Sequence, residues 1–345
     1  MRKFIKPYSE IATVENLLIA WQEFLPGKKN RLDVELFQSR LMNNIFFLHH
    51  DLLYKRYVHG GYQAFNISDP KPRNIHKATV RDRLLHHLLY NELYTYFDTK
   101  FIFDSYSCRL NKGTHKALNQ FRKFAGKVSK NHTRTCWVLK CDIRKFFASI
   151  DHTVLKSILE KHIANADTLR LLENIIDSFE TQNSIYAMAD ICKDGGGNAS
   201  AVVKGLPLGN LTSQLLVNIY MNEFDHFMKR ELKTKYYIRY ADDFVILSES
   251  KAYVENLLPK IHKFLSERLR LSLHPDKVFI KTYSSGVDFL GWVHFPHHRV
   301  LRTSTKRKML KRLKGEPKLE TIAAYKGMLL HGDTYKICKP LHFLL

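Results

Sequence analysis

Two adjacent acids, Asp242 and Asp243, stand between short β-prone apolar runs, Tyr237-Ile238 before them and Phe244–Leu247 after. The pattern reads as strand, turn, strand, with carboxylates at the tip. Acids are common in solvated turns, but neighbouring carboxylates repel and a hairpin tip needs no pair of them. Two hard oxygen donors side by side suit a divalent cation such as Mg²⁺. A third acid, Asp142, ends the apolar strand Trp137–Ile143, where a carboxylate is costly unless paired or metal-bound. Asp151 is different. It precedes the helical stretch His152–His162 and reads as an N-cap that needs no chemistry.

The composition says what these acids act on. Lys and Arg number 55 against 33 Asp and Glu, a formal charge of +22, which calls for an acidic partner such as a polyphosphate backbone. With 45% apolar residues in 345, a full core and two or three lobes are expected. Cys108, Cys136, Cys141, Cys192 and Cys338 are scattered and odd in number, which argues against a disulfide framework or a zinc knuckle and for a reducing compartment. The histidine pairs (His49-His50, His86-His87, His297-His298) diverge on any regular element and make no metal site. With no long apolar run and no signal-peptide core, the expectation is a soluble, cytoplasmic protein without membrane contact.

Elements positioning the acids follow from periodicity. Helices are expected at Glu15–Phe24 and Val34–Tyr54, then a hairpin from Tyr62–Ile67 through Ser68-Asp69-Pro70 into Lys71–Ile75. Asp82 is expected to cap a helix over Arg83–Phe97. A basic loop, Ser105–Thr114, leads to the helix His115–Ala125, whose Lys116, Arg122 and Lys123 alternate with aromatics; this suits phosphate contact and stacking, or simply a solvated face. The glycine run in Asp194–Asn198 reads as a flexible connection. Gly205–Gln214 leads into a helix over Leu215–Lys229, its glycines allowing close backbone approach to a base pair or phosphate. Later come a helix at Ala252–Leu269, a strand and turn at Leu271–Lys277, a short strand pair at Val287–Trp292 and Val293–Leu301, and basic helices from Ser304 to about Leu330.

Asp142, Asp242 and Asp243 on neighbouring strands could bind two divalent cations ~3.5–4 Å apart, activating a 3′-hydroxyl and stabilising a pyrophosphate leaving group. A hydrolase needs no basic lobes and stacking aromatics besides; a nucleotidyl transferase needs them.

The order of these segments resembles a reverse transcriptase over roughly residues 60–335. Lys71–Ile75 with Arg81-Asp82-Arg83 is similar to the family's first fingers block, and Ser105–Ala117 to the second. Leu139–Phe147 resembles the palm block with the first catalytic acid, and Tyr240–Asp243 the (Y/F)-x-D-D block. Leu271–Lys277 and Phe289–Trp292 resemble the lysine block and the primer grip. One block departs from the common Gln-Gly-x-x-x-Ser-Pro: here it reads Leu208-Gly209-Asn210-Leu211-Thr212-Ser213-Gln214. An aliphatic residue for the Gln, with Gln for the Pro, resembles the enzymes of diversity-generating retroelements, which copy a template-repeat RNA with frequent errors opposite adenine. Exchanging a side-chain amide for an aliphatic group removes hydrogen-bonding capacity from the pocket that must reject mismatches.

The resemblance implies an α+β, right-hand polymerase fold: a helical N-terminal extension (1–60), fingers (61–136), a palm (137–302) with a fingers-like insertion near 163–210, and a short thumb (303–345). It implies that Asp142, Asp242 and Asp243 hold two Mg²⁺, with Mn²⁺ as a substitute. Lys71, Arg73, Lys145, Phe146, Phe147 and Lys277 would border the dNTP, Phe147 as steric gate against a ribose 2′-hydroxyl and Lys277 at the pyrophosphate. Leu208, Gly209, Gln214 and Arg109 would border template and base pair, and Leu290, Gly291 and Trp292 the primer. The partners implied are RNA template, primer, cDNA, dNTPs and a small basic oligomeric accessory protein. Two other readings stand beside it: a group II intron-type or retron- or defence-associated reverse transcriptase, and a non-catalytic RNA-binding scaffold. With few residues after the palm, no maturase or endonuclease domain is expected there, and the three acids argue against an inert palm.

Overall fold

The computed structural model describes residues 2–68, 72–179, 203–314 and 317–338. In chain order the elements are α1 (Tyr8–Ile11), α2 (Val14–Phe24), α3 (Leu32–Gln38), α4 (Leu41–Leu53), β1 (Tyr62–Ile67), β2 (Arg73–Ala78), α5 (Val80–Asp98) and α6 (Thr114–Val128). There follow β3 (Trp137–Asp142), α7 (Phe146–Ser149), α8 (His152–His162), α9 (Ala166–Asp177) and α10 (Leu211–His226), which runs on into a π turn. Then come β4 (Tyr237–Tyr240), β5 (Asp243–Ser248), α11 (Lys251–Leu269), β6 (Phe279–Thr282), β7 (Val287–Phe289), β8 (Trp292–His294), β9 (Arg299–Leu301), α12 (Thr303–Leu313), α13 (Leu319–Leu329) and α14 (Tyr335–Cys338). The chain divides into two compact units, each assembled from three separate stretches. Among the described residues no helix is long and apolar enough to cross a membrane, and Cys108, Cys136, Cys141 and Cys338 are free thiols.

The first unit comprises 1–102, 143–226 and 264–272. Its centre is α5, against which α2 and α10 pack. Leu84, Leu85, Leu88 and Leu89 of α5 are buried with Leu17, Trp21 and Phe24 of α2, so two apolar stripes close on each other. The β1–β2 hairpin pairs Tyr62 with Ala78 through Ile67 with Arg73, and Lys77 of β2 is held to Asp33 of α3 at 2.7 Å.

The second unit comprises 103–142, 227–263 and 273–345. It carries an antiparallel sheet in the order β4-β5-β3-β6 and a second, three-stranded sheet, β7-β8-β9. The inner strands are apolar on both faces, with Val138, Leu139, Cys141 and Phe244–Leu247 all buried. Helix α6 lies against β4 and β5 through Leu118, Phe121, Ala125 and Val128, spaced three and four apart. Its other side leaves Lys116, Arg122, Lys123 and Lys127 exposed.

Several local expectations change. The stretch Val34–Tyr54 is two helices, because the end of α3 is already satisfied: Ser39 Oγ donates to the Leu36 carbonyl at 2.9 Å and Asn44 Nδ2 to that of Phe37 at 2.9 Å. Asp82 is not the cap of α5. Thr79 is, its Oγ1 accepting the Asp82 N–H at 3.2 Å, while the wholly buried Asp82 carboxylate takes the Tyr57 hydroxyl at 2.7 Å and the Gly60 N–H at 3.1 Å. Leu271–Lys277 holds no strand; Pro275–Lys277 is a 3₁₀ turn capped by His274, and β6 starts beyond it. The helix expected from Leu215 starts at Leu211. Asp151 does cap α8, accepting the Val154 N–H at 3.1 Å, and also receives Arg270 at 2.8 Å. The glycine run of Asp194–Asn198, Cys192 and the turn residues Asp69 and Pro70 lie outside the described residues.

Asp82 should therefore matter more than its helix-start position suggests. We expect Asp82→Ala to lower stability by about 2–4 kcal/mol, since it takes the acceptor from the buried Tyr57 hydroxyl and from the part-buried Gly60 N–H and Thr79 hydroxyl, against about 1 kcal/mol for loss of the cap in Thr79→Ala. Urea unfolding followed by tryptophan fluorescence measures both.

Candidate active site

The acid-bearing strands meet in the second unit. In the β3–β5 pairing Asp142 sits directly opposite Asp243, and Asp243 in turn opposes Tyr240 of β4. The loop between β4 and β5 is only Ala241 and Asp242, and Ala241 adopts φ +56°, a conformation favoured by glycine. The two facing carboxylates are mostly shielded, with side-chain exposures of 15% for Asp142 and 18% for Asp243. Like charges directly opposite on a sheet destabilise it, so positive charge must be close. Two lysines supply it. Lys277 Nζ donates to Asp142 Oδ1 at 2.9 Å, and Lys140 Nζ lies 3.2 Å from Asp243 Oδ2.

Lys140 has the same side-chain direction as Asp142 on β3, two residues on, and stands diagonal to Asp243. Burial pushes the Asp243 carboxyl up to about 7, helped by the charges of Asp242 and Asp142 and opposed by Lys140. Asp243 Oδ1 is buried with no hydrogen-bond partner. On the opposite face, burial raises the Cys141 thiol and keeps it unreactive.

A hard divalent cation fits this pair: the facing carboxylates supply oxygen donors, one of them an orphan atom, and a cation would remove the cost of burying Asp243. Asp142 and Asp243 pair in register and Asp242 lies in the adjoining loop; among the described residues no cluster of three or more metal-ligating side chains is formed.

The remaining sequence-derived residues fall in both units. In the second, Arg109 Nη1 donates to the Ser105 carbonyl at 3.0 Å, bracing its own loop. Leu290 and Gly291, with φ of +49° and +87°, form the two-residue turn between β7 and β8. Trp292 is buried at the start of β8, with the Arg299 guanidinium 5.5 Å from its ring centre.

In the first unit, Arg73 is exposed at the start of β2, while Lys71 lies outside the described residues. Lys145, at φ +45°, begins the short α7; Phe146 is buried in the core and Phe147 half-buried. The Leu208 carbonyl accepts the His76 N–H of β2 at 3.0 Å. Gly209 has φ +112°, and a Cβ there would meet Ile75 Cγ2 at 2.9 Å, so the turn and the hairpin touch backbone to side chain. Gln214 is half-buried in the first turn of α10.

Sequence reasoning missed two residues. Lys140 was visible only as a charge inside an apolar strand, two positions before Asp142. Asn210 is buried and donates Nδ2 to the His76 carbonyl at 3.0 Å, so with Leu208 it occupies both backbone groups of His76. Nothing local marks that role.

Residues 68–294 match the family model of reverse transcriptase (RNA-dependent DNA polymerase). The chain belongs to the reverse transcriptase family. The antiparallel sheet flanked by helices agrees with the α+β, right-hand polymerase fold expected of such a domain. Protein YkfC of Escherichia coli K12 is 25% identical, over 79% of this chain and 74% of that protein. The group II intron-encoded protein LtrA of Lactococcus lactis subsp. cremoris is 21% identical, over 64% of this chain and 44% of LtrA. Among solved structures, apo telomerase of Candida tropicalis, truncated from its C-terminal domain, has a TM-score of 0.46 at 11% identity, covering 70% of this chain and 55% of that one. The chain thus spans less than half the length of LtrA.

The buried reverse transcriptase acid has a pH signature. An unfolded aspartate ionises near 4 and native Asp243 near 7, so the native state holds the extra proton between those values. Stability of the metal-free protein falls as pH rises through that window, and the loss is complete above it. Asp243→Asn should raise the metal-free melting temperature at pH 8 by about 2–6 °C, with the gain fading towards pH 4. Thermal melts in EDTA at several pH values check this.

Proposed function

We propose that this chain is an RNA-directed DNA polymerase that makes cDNA by two-metal nucleotidyl transfer, and that it serves a diversity-generating retroelement as its error-prone enzyme. The observation that carries the catalytic reading is the register match of Asp142 with Asp243, closed on each side by a lysine.

Asp142, Asp243 and the adjoining Asp242 would hold Mg²⁺, or Mn²⁺ in its place; when bound, the ions would supply Lewis-acid activation of the primer 3′-hydroxyl and charge neutralisation at the leaving group. Lys277, exposed to solvent, would turn from Asp142 to the pyrophosphate as that charge develops. Lys140 is buried and stays with Asp243, limiting repulsion between the acids while the site is filled and emptied. Arg73, the Lys145–Phe146 backbone and Lys71 receive the triphosphate, and the half-buried Phe147 ring excludes a ribose 2′-hydroxyl. Leu290 and Gly291 contact the primer, the buried Trp292 holding their turn in place, and Arg109 and Gln214 contact the template.

The subtype rests on Leu208. The turn carrying it is tied to β2 through His76, so the aliphatic side chain is held at a defined place and offers a base pair shape but no hydrogen bond. The small basic accessory protein belongs to this reading, as do the divisions into N-terminal extension, fingers, palm and thumb. A group II intron-type role is the second reading, favoured by the likeness to LtrA.

Primer extension on a defined RNA template, with products sequenced, tests these roles. Asp142→Asn and Asp243→Asn should each cost at least about 10²–10³-fold in kcat. Phe147→Val should raise ribonucleotide incorporation roughly 10–200-fold, the range of a small steric change. Misincorporation concentrated opposite adenine in the wild type, and reduced in Leu208→Gln, is expected. Faithful wild-type copying would move the assignment to the intron-type role, and metal-dependent synthesis absent even with RNA and partner supplied would leave a binding scaffold.

A further inference from the structure

A charged side chain lies beneath the catalytic turn with no part in the roles above. Arg239, next to Tyr240 in β4, is completely buried and is the largest of the wholly buried side chains among the described residues. A guanidinium is expensive to remove from water, and the neighbour that points the same way on β4, Tyr237, shows that an aromatic body can fill such a place. What the arginine adds is a fork of donors in fixed geometry. Nη1 donates to the Ala241 carbonyl at 3.1 Å and Nη2 to Ser105 Oγ at 3.0 Å.

The second anchor is firm. Ser105 is wholly buried in the segment that covers the outer edge of β4 through a parallel bridge. There the Arg239 N–H donates to the Asp104 carbonyl and the Tyr106 N–H to the Arg239 carbonyl, both at 3.0 Å. Thr114 Oγ1 adds a bond to the Tyr240 hydroxyl at 3.1 Å. One arm of the fork therefore reaches a fixed wall, and the other reaches the loop.

The atom held in the loop is the important one. The Ala241 carbonyl belongs to the peptide that joins Ala241 to Asp242, and a peptide unit is planar. Holding that oxygen fixes the plane, and with it the direction in which the chain enters Asp242 and then Asp243. The loop has just two residues between the Tyr240–Asp243 pair, and its first residue, Ala241, is in a left-handed conformation that alanine does not choose. Left alone, that plane is free to turn about the Cα–C bond of Ala241 and carry Asp242 elsewhere.

We propose that Arg239 is a positioning residue for the catalytic acids: it locks the Ala241–Asp242 peptide plane from beneath, with Ser105 as its anchor. The inference rests on reading Asp242 and Asp243 as cation ligands.

The test uses the full chain as wild type, Arg239→Lys, Ser105→Ala and Asp242→Asn. Metal-free protein is followed by hydrogen exchange, Mn²⁺ binding by calorimetry, and single-nucleotide extension by kcat and KM. Lysine keeps the charge but cannot reach both partners. In Arg239→Lys the amides of 240–243 should exchange at least about tenfold faster while β3 amides hold, with Mn²⁺ affinity down roughly 10–100-fold, the cost typical of losing an outer partner of a metal ligand. kcat should fall about 10²-fold with the dNTP KM unchanged. Ser105→Ala, which keeps the arginine, should move every readout the same way by less, and it serves as the test if Arg239→Lys does not fold. Wild-type exchange, Mn²⁺ affinity and kcat in the folded variants would overturn the proposal, as would losses that track only a lowered melting temperature. A different pattern, in which Asp242→Asn binds Mn²⁺ as tightly as the wild type, would instead overturn the ligand reading and remove the basis of this role.

Discussion

Two carboxylates forced face to face in a sheet are the constraint on which the rest of this structure depends. The register of β3 and β5 sets Asp142 against Asp243, and the apolar residues behind them leave little water to screen the repulsion. A one-residue slip would put the acids on opposite faces, but it would also take every buried side chain of Val138–Leu139 and Phe244–Leu247 out of the close packing it now fills. The hydrophobic core of the unit thus holds the acids in an arrangement they would not adopt themselves. Lys140 and Lys277 make the metal-free state tolerable, and they do so unequally: one is buried beside its acid, the other exposed and able to leave.

The same logic extends around the site. The β4–β5 loop is short and strained, and a buried guanidinium spans from it to the segment that covers the edge of β4. In the other unit, the turn that carries Leu208 and Gly209 is fastened to β2 through both backbone groups of His76. In each case a residue of chemical interest sits on a loop whose backbone is held by neighbouring structure, as precise positioning requires. The reverse transcriptase family supplies the reaction; these braces are how this chain keeps its parts in place.

Much of the layout was legible beforehand. The apolar runs on both sides of Asp242-Asp243 locate β4 and β5, because a strand buried on two faces must be continuously apolar. Asp151 reads correctly as a cap, because capping is a local interaction between a side chain and an N–H three residues on. Asp82 looked the same and was not. Its carboxylate is drawn to Tyr57 and Gly60, more than twenty residues earlier, and no window around Asp82 contains them. The break between α3 and α4 was hidden for a related reason, since apolar spacing continues across it while the hydrogen bonds of Ser39 and Asn44 end the first helix.

The sequence alone determined which chemistry is available: three acids in the right order, an excess of positive charge, and an aliphatic residue where a glutamine is usual. These are properties of residue type and spacing, and folding does not alter them. Only the tertiary structure decided that Asp142 pairs in register with Asp243, that Lys140 is a counter-charge, and that Arg239 reaches both Ser105 and Ala241. Each of these depends on strand register and on which face is buried, set jointly by residues a hundred or more positions apart.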